Sequence, residues 1–252
     1  MVLEQGTLIT GTEMGLMASL GLHGIPIRRK PKVAIITTGA STVDILEKLD
    51  IGKARNNVRY SLVGMVLESG CDLGKLIHIK EGRIALEKAI AGCKSCDAII
   101  VSLGHEDKHD TALAALKNVS NVHFDRVHIE PGAASAFGIA DDKPIFIAPA
   151  KAIIEAFEAI IRPGLLRLLG RSALSRPRYH AVLQNALKLN PGYSHFIKAS
   201  TSLDGNVCTA PPLGPHSSHA HPNVHANSLI VVPQNIDSVK KGDDVEVIMI
   251  NR

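Results

Sequence analysis

From Lys32 onward the chain alternates between two hydrophobic periods. Val33-Ala34-Ile35-Ile36-Thr37-Thr38 is a continuous apolar, β-branched run ending at Gly39, which predicts a strand buried on both faces that leads into a loop. Residues 57–69 carry Val58, Leu62, Met65 and Val66 at helical spacing and stop at Gly70. A strand over Leu73 to Ile79, an amphipathic helix over 83–91 and a buried strand at Ala98-Ile99-Ile100-Val101 follow. The pattern continues with a helix from Asp110 to Leu116, a strand over Val122 to Ile129, another at Pro144-Ile145-Phe146-Ile147, and a long helix from Ile153 to Leu169. Strands alternating with helices of this length predict an α/β fold, a largely parallel sheet flanked by helices. Ligands of such sheets bind at the carboxyl ends of the strands, so the loops starting at Gly39, Ser102, Pro131 and Ala148 carry the functional information.

The flanks differ. Gly15 to Gly21 reads as a short helix closed by a glycine, followed by the connector Pro26 to Lys32. From Arg176 to Arg252 the apolar runs are short (Ala181 to Leu187, His195 to Ser202, Leu229 to Val232, Val245 to Ile250) and separated by Pro, Gly, Asn and Asp, the pattern of a small all-β domain. The expected organisation is a helix and linker over 1–31, an α/β domain over 32–172 and a β domain over 173–252.

Composition narrows the class. The 252 residues are 45% hydrophobic and 21% charged, which excludes a disordered or collagen-like chain. Aromatic residues make up 3%, with no Trp, so the core is expected from Ile, Leu, Val and Ala. No run approaches the roughly 20 apolar residues of a membrane span, and no signal-peptide pattern opens the chain, so a cytoplasmic protein without a membrane partner is expected. The net charge of +4 is spread out; its densest run, Arg28-Arg29-Lys30-Pro31-Lys32, lacks a groove-reading motif or aromatic platform, so no nucleic-acid partner is expected. Cys71, Cys93, Cys96 and Cys208 are too few for a disulfide framework. Cys93-Lys94-Ser95-Cys96 is a single CxxC pair without the strand-to-helix context of a redox motif.

Three strand-end loops carry the candidate chemistry. Thr37-Thr38-Gly39, Ser102-Leu103-Gly104 and Pro131-Gly132 are small or glycine-containing turns that let backbone N–H groups approach an anion. Their common edge suits a phosphate- or pterin-sized ligand, although none is a Walker or dinucleotide fingerprint. Beyond Gly104, His105, Glu106, Asp107, His109 and Asp110 are either a replacement acidic site or solvated residues opening a helix. His216, His219, His221 and His225 fall within ten residues; on an extended backbone His219 and His221 face the same way and could share Zn²⁺, Ni²⁺ or Cu²⁺ with His216 or His225, the bland alternative being a polar surface loop. His78, His123 and His128 lie in expected strands and read as edge or core residues.

Several of these segments, in order and spacing, resemble one family. Gly15 to Gly21, Val33 to Gly39, Pro131-Gly132 with Ala136-Phe137-Gly138, Lys143 to Phe146, Arg162-Pro163 with Gly170, Ala226 to Leu229 and Gly242 to Val247 resemble the molybdopterin molybdotransferases, the MoeA proteins and the gephyrin E domain. The resemblance implies a molybdopterin-binding-like α/β domain followed by a β domain, a homodimer, and insertion of molybdate into adenylylated molybdopterin with Mg²⁺; family members carry two further N-terminal domains, relative to which this sequence reads as shortened. It places the cofactor among Thr38, Gly39, Arg55, Ser102, Gly104, Pro131, Gly132 and Pro149, with Asp110 as the remaining catalytic carboxylate and other molybdenum cofactor proteins as partners. The chain departs from the family at the chemistry. Ala40-Ser41 stands at the family's acidic pair, Ala133 at its lysine, Ala150-Lys151-Ala152 in its Pro-Gly-Asn-Pro turn, and Arg55-Asn56-Asn57-Val58 at its Arg-Asp-Ser-Asn. A pterin-nucleotide-binding protein is therefore expected, and a non-catalytic scaffold or metal- or partner-binding module on the same fold is the alternative.

Overall fold

The computed structural model describes residues 3–80, 82–104, 107–204, 207–209 and 226–250. Helix α1 (Gly11–Ser19) comes first and buries none of its residues. Strand β1 (Lys32–Thr38) opens the α/β domain. The short parallel pair β2 (Thr42–Val43) and β3 (Ala54–Arg55) follows, then α2 (Asn57–Glu68) and β4 (Asp72–Ile79). Next come α3 (Arg83–Ala91), β5 (Ala98–Leu103), α4 (His109–Val119), β6 (Asn121–Phe124) and β7 (Ile129–Glu130). The domain ends with β8 (Ala136–Ala140), β9 (Lys143–Pro149), α5 (Ile153–Ala156), a wide-turn segment Phe157–Ile161 and α6 (Arg162–Leu168).

Among the described residues the first sheet runs β4-β1-β5-β9-β8-β6. Its first four strands are parallel, and β8 and β6 extend it antiparallel. Val33 through Thr38 are all buried, because both faces of β1 are covered. Ala34 and Ile36, with Ile99, Val101 and Ile147, pack on Leu86 and Ile90 of α3 and Leu116 of α4. Val33 and Ile35, with Ile100 and Phe146, pack on Leu62 and Val66 of α2 and on Phe157, Ile161 and Leu165. Each such Val, Ile, Leu or Phe side chain contributes about 2 kcal/mol by leaving water. Several phenylalanines also sit inside: Phe157 is among the largest fully buried side chains, and Phe137 bridges the rings of Phe124 and Phe146. The expected aliphatic core thus has aromatic fillings at its widest points.

Two expectations need correction. The single strand over Val122 to Ile129 is split into β6 and β7, and Ile129–Glu130 leaves the first sheet to pair in parallel with Ser194–His195 of the second. The long helix is interrupted before Pro163, which lacks an N–H and crowds the carbonyl four residues back; the widened turn Phe157–Ile161 absorbs it.

The second sheet contains β10 (Arg178–Val182), β12 (Ser194–Ala199), β13 (Ser202–Asp204), β14 (Val207–Thr209), β15 (Ser228–Val232) and β17 (Asp244–Met249), in the order β13-β14-β10-β17-β15-β12-β7. Leu187–Lys188 (β11) and Ser238–Val239 (β16) form a separate pair. One face has its own core of Ala181, Leu183, Ile230, Val245 and Val247. The other, with Phe196, Leu229, Val231 and Ile248, packs on Ile129, Ile154 and Ala159 of the first domain.

Charge reinforces that junction. Glu155 Oε1 lies 2.5 Å from Lys198 Nζ on β12, with side chains 2% and 18% exposed. Glu158 accepts from Arg162 Nε at 2.8 Å and from Arg176 Nε at 3.1 Å, tying the interdomain connector to the helix. At the other end of the sheet, both Asp97 oxygens accept from Arg29 at 2.6 Å, and Oδ2 also accepts from the Lys32 amide at 2.7 Å. Cys71, Cys93 and Cys96 are free, buried thiols. Burial pushes the Cys71 thiol up to about 11, and Cys93 Sγ donates to the Ala89 carbonyl at 3.2 Å, so this CxxC is a packed turn. Among the described residues no helix is long and apolar enough to cross a membrane.

Lys198→Met strands a buried Glu155 carboxylate, so urea denaturation should show a loss of about 3–5 kcal/mol, most of it recovered in Glu155→Gln/Lys198→Met. The Arg29 guanidinium, helped by the Lys32 amide, holds the Asp97 carboxyl at about 2, below its ordinary 3.8. Its contribution to stability is therefore complete above the unfolded value and declines as pH falls from about 4 towards 2. Asp97→Asn should flatten that part of the stability–pH curve measured by thermal melting.

Candidate anion site at the carboxyl edge of the sheet

The register of the parallel strands decides which loops meet. Thr37 lies opposite Ser102, Ser102 opposite Ala148, and Leu103 opposite Pro149. Thr38, Gly39, Ser102, Gly104 and Pro149 therefore converge at one edge. Pro131 and Gly132 approach it from the side: a Cβ on Gly132 would stand 3.8 Å from the Ala152 Cβ, just past Pro149.

At the centre, β1 and β5 leave the sheet in van der Waals contact. A Cβ on Gly104 would stand 2.5 Å from the Thr38 carbonyl oxygen and 3.0 Å from Gly39 Cα. The residue must therefore lack a side chain for the two loops to close. Gly39 has φ +139°, a conformation reserved for glycine.

The Gly104 N–H donates to Asp107 Oδ2 at 3.0 Å and to Thr38 Oγ1 at 3.2 Å, and the Thr38 hydroxyl also donates to Asp107 Oδ2. One carboxylate oxygen is thus held by a backbone amide and a hydroxyl, the donor pair that binds a phosphate oxygen in glycine-rich loops. The Asp107 amide donates to the Gly104 carbonyl at 3.2 Å, closing a turn that aims the carboxylate back at the strand ends.

Asp110, expected as the carboxylate at this edge, lies on the first turn of α4. Its side chain is 89% exposed and reaches Arg126 at 4.0 Å. The carboxylate that touches Thr38 and Gly104 belongs to Asp107. The sequence signal for the difference is distance from the strand: Asp107 is three residues beyond Gly104, within reach of one turn, whereas Asp110 already belongs to the helix.

The opposite face of β1 carries a second polar group. Asn56 Nδ2 donates to Thr37 Oγ1 at 2.7 Å, and His78 Nδ1 lies 3.1 Å from the same hydroxyl. Asn56 Oδ1 also caps α2 by accepting from the Arg59 amide at 3.2 Å. Ser102, beside Thr37, is 1% exposed and its Oγ has no hydrogen-bond partner among the described residues. A buried hydroxyl without a partner costs about 1–3 kcal/mol and marks a place where a further polar group would be welcome. Sequence reasoning took His78 for an edge or core residue and missed this network.

Arg55 has a different occupation. Its guanidinium donates to the carbonyls of Asp44, at 2.6 Å, and Glu47, and Arg59 reaches the Asp44 carboxylate at 2.6 Å. Both arginines hold the 44–47 segment of the loop after β2. Among the described residues no three His, Cys, Asp or Glu side chains are grouped to hold a metal ion. His216, His219, His221 and His225, like His105 and Glu106, lie outside the described residues.

Comparison with known proteins supplies the context. Residues 180–250 match the family described as MoeA C-terminal region (domain IV). Over 98% of its length the chain is 28% identical to a molybdopterin molybdenumtransferase of Staphylococcus epidermidis and 26% identical to one of Staphylococcus aureus, covering 61% of each. The chain thus spans about three fifths of the length of these relatives. Two structures of a molybdopterin biosynthesis MoeA protein from Pyrococcus horikoshii share its fold with TM-scores of 0.84 and 0.80, at 22% and 19% identity, over 100% and 98% of this chain and 62% and 61% of theirs. A molybdenum cofactor biosynthesis protein from Pyrococcus furiosus does so with a TM-score of 0.74 at 20% identity, over 98% of this chain and 78% of that one.

Gly104→Ala should force the β1 and β5 loops apart, because its methyl meets the Thr38 carbonyl oxygen at 2.5 Å and Gly39 Cα at 3.0 Å, both backbone, as well as the Asp107 carboxylate oxygen at 3.0 Å. A loss of about 1–3 kcal/mol in urea denaturation is expected, together with displaced amide resonances at Thr38 and Gly39. Unchanged resonances at both positions would contradict this account of the edge.

Proposed function

From the premise that this chain is a homologue of the MoeA/molybdopterin molybdenumtransferase family, spanning 61% of the length of its relatives, we propose that it binds molybdopterin or a related pterin-nucleotide at the carboxyl edge of the parallel sheet. The observation that carries this reading is the convergence of the Thr38 hydroxyl and the Gly104 amide on a single anionic oxygen. This donor set matches what a phosphate requires, and the Asp107 carboxylate that holds it in the structure is a side chain that can rotate away.

In this reading Thr38 and Gly104 hold the phosphate end of the ligand. Gly39 lets the backbone come close, and the Ser102 hydroxyl supplies a hydrogen-bonding group without a partner among the described residues. Pro131, Gly132 and Pro149 form the adjoining wall. The protein's share is to hold the phosphate and orient the pterin.

A divalent metal is the poorer fit. The methyl of Ala40 offers no oxygen where the family resemblance places acidic residues, and no three-ligand group exists among the described residues. Cofactor binding is thereby separable from molybdate transfer.

The test is equilibrium binding of molybdopterin and its adenylylated form to the purified protein, with and without molybdate and Mg²⁺. Micromolar or tighter affinity is expected, weakened at least tenfold by Gly104→Val, which places branched carbon against the Thr38 carbonyl. No binding at concentrations well above that range would remove the proposal. AMP release dependent on molybdate would extend it to transferase activity.

A further inference from the structure

A carboxylate sits where an incoming anion would have to go. Asp107 Oδ2 accepts from both Gly104 N and Thr38 Oγ1, and each of these groups has a single proton to donate. The same two donors cannot serve Asp107 and a phosphate oxygen at full strength. Among the described residues no lysine or arginine pairs with Asp107, so neutral donors alone hold its charge.

We propose that Asp107 sets the oxyanion affinity of this edge: its carboxylate occupies the donors of Thr38 and Gly104, and a phosphate or comparable oxyanion binds by displacing it. This rests on the reading of the edge as a ligand site and adds a competitor tethered within the protein. The tether is short. Asp107 follows Gly104 by three residues and is closed on it by the 3.2 Å amide-to-carbonyl bond, so the carboxylate is present at the cradle at high effective concentration.

Displacement requires only rotation of one partly exposed side chain, and it leaves an anion beside an anion. The ligands this arrangement favours are therefore those whose remaining groups, such as a pterin ring with several donors, can use the released carboxylate as an acceptor. A bare oxyanion, which repels it, is disfavoured. Asp107 then acts as a selectivity filter against free phosphate.

The experiment compares inorganic phosphate binding to the wild type and to Asp107→Asn, followed by the Gly104 amide resonance and by calorimetry at low ionic strength. Asn keeps a carbonyl oxygen that can accept from Gly104 and preserves the turn, but carries no charge. The expected result is phosphate binding at least tenfold tighter in Asp107→Asn, with the gain shrinking in 0.5 M salt as charge effects are screened. Asp107→Ala, with melting temperature measured alongside, should tighten binding at least as much. Equal or weaker phosphate binding in Asp107→Asn overturns the proposal, since a purely structural aspartate gives that result. The two readings separate cleanly. Tighter phosphate binding in Asp107→Asn without molybdopterin binding by either form retains the competition and removes the pterin. Molybdopterin binding with phosphate affinity unchanged by the substitution does the reverse.

Discussion

Everything at the candidate site depends on the burial of β1. Its six residues from Val33 to Thr38 are covered on both faces, which only a strand flanked by parallel neighbours and helices on each side can satisfy. That burial fixes its register against β4 and β5, and the register delivers Thr38 and Gly104 to the same point. A slip of one residue would move Ala34 and Ile36 to the opposite helical layer and carry the threonine hydroxyls away from the Gly104 amide. The site is therefore specified by the core long before any ligand arrives.

The elements legible in the sequence are those whose hydrophobic period is long and regular. β1, β5, β9, α2 and α3 match the apolar runs that announced them because burial is what both the pattern and the fold record. The misses have common causes. Ala136–Ala140 is small and glycine-containing, and its hairpin turn uses Asp141 and Asp142 at φ +48° and +61°, a turn that aspartate permits without advertising it. Ile129–Glu130 is too short for any period to show, and its pairing partner lies more than sixty residues away. Glu155 and Glu158 did leave a trace, as charges inside an otherwise apolar helical run; such interruptions signal a buried partner, but the partners Lys198 and Arg176 could not be read from spacing.

At the site, residue identity and residue role separate. Thr38, Gly39, Ser102, Gly104 and Pro149 meet at one edge as the loop pattern anticipated, since strand-end loops of adjacent parallel strands have little choice. The acidic residue differed. Asp107 and Asp110 are chemically the same, and only the length of the turn after Gly104 decides which one folds back. Arg55 is engaged with backbone carbonyls of its own loop. A guanidinium anchored in this way keeps its charge but stiffens the loop that holds it.

The two sheets are sewn together through Ile129–Glu130. The chain enters the second sheet there, returns to the first at Ala136, and leaves again after α6. Neither half is then a self-contained module: severing the connector near residue 173 would leave β7 without the strand it pairs with and Lys198 without its carboxylate. A chain cut at that connector would expose Ile129, Ile154 and Ala159 on one side and Phe196, Leu229 and Ile248 on the other, so each half would face water with the apolar surface it now hides against its neighbour.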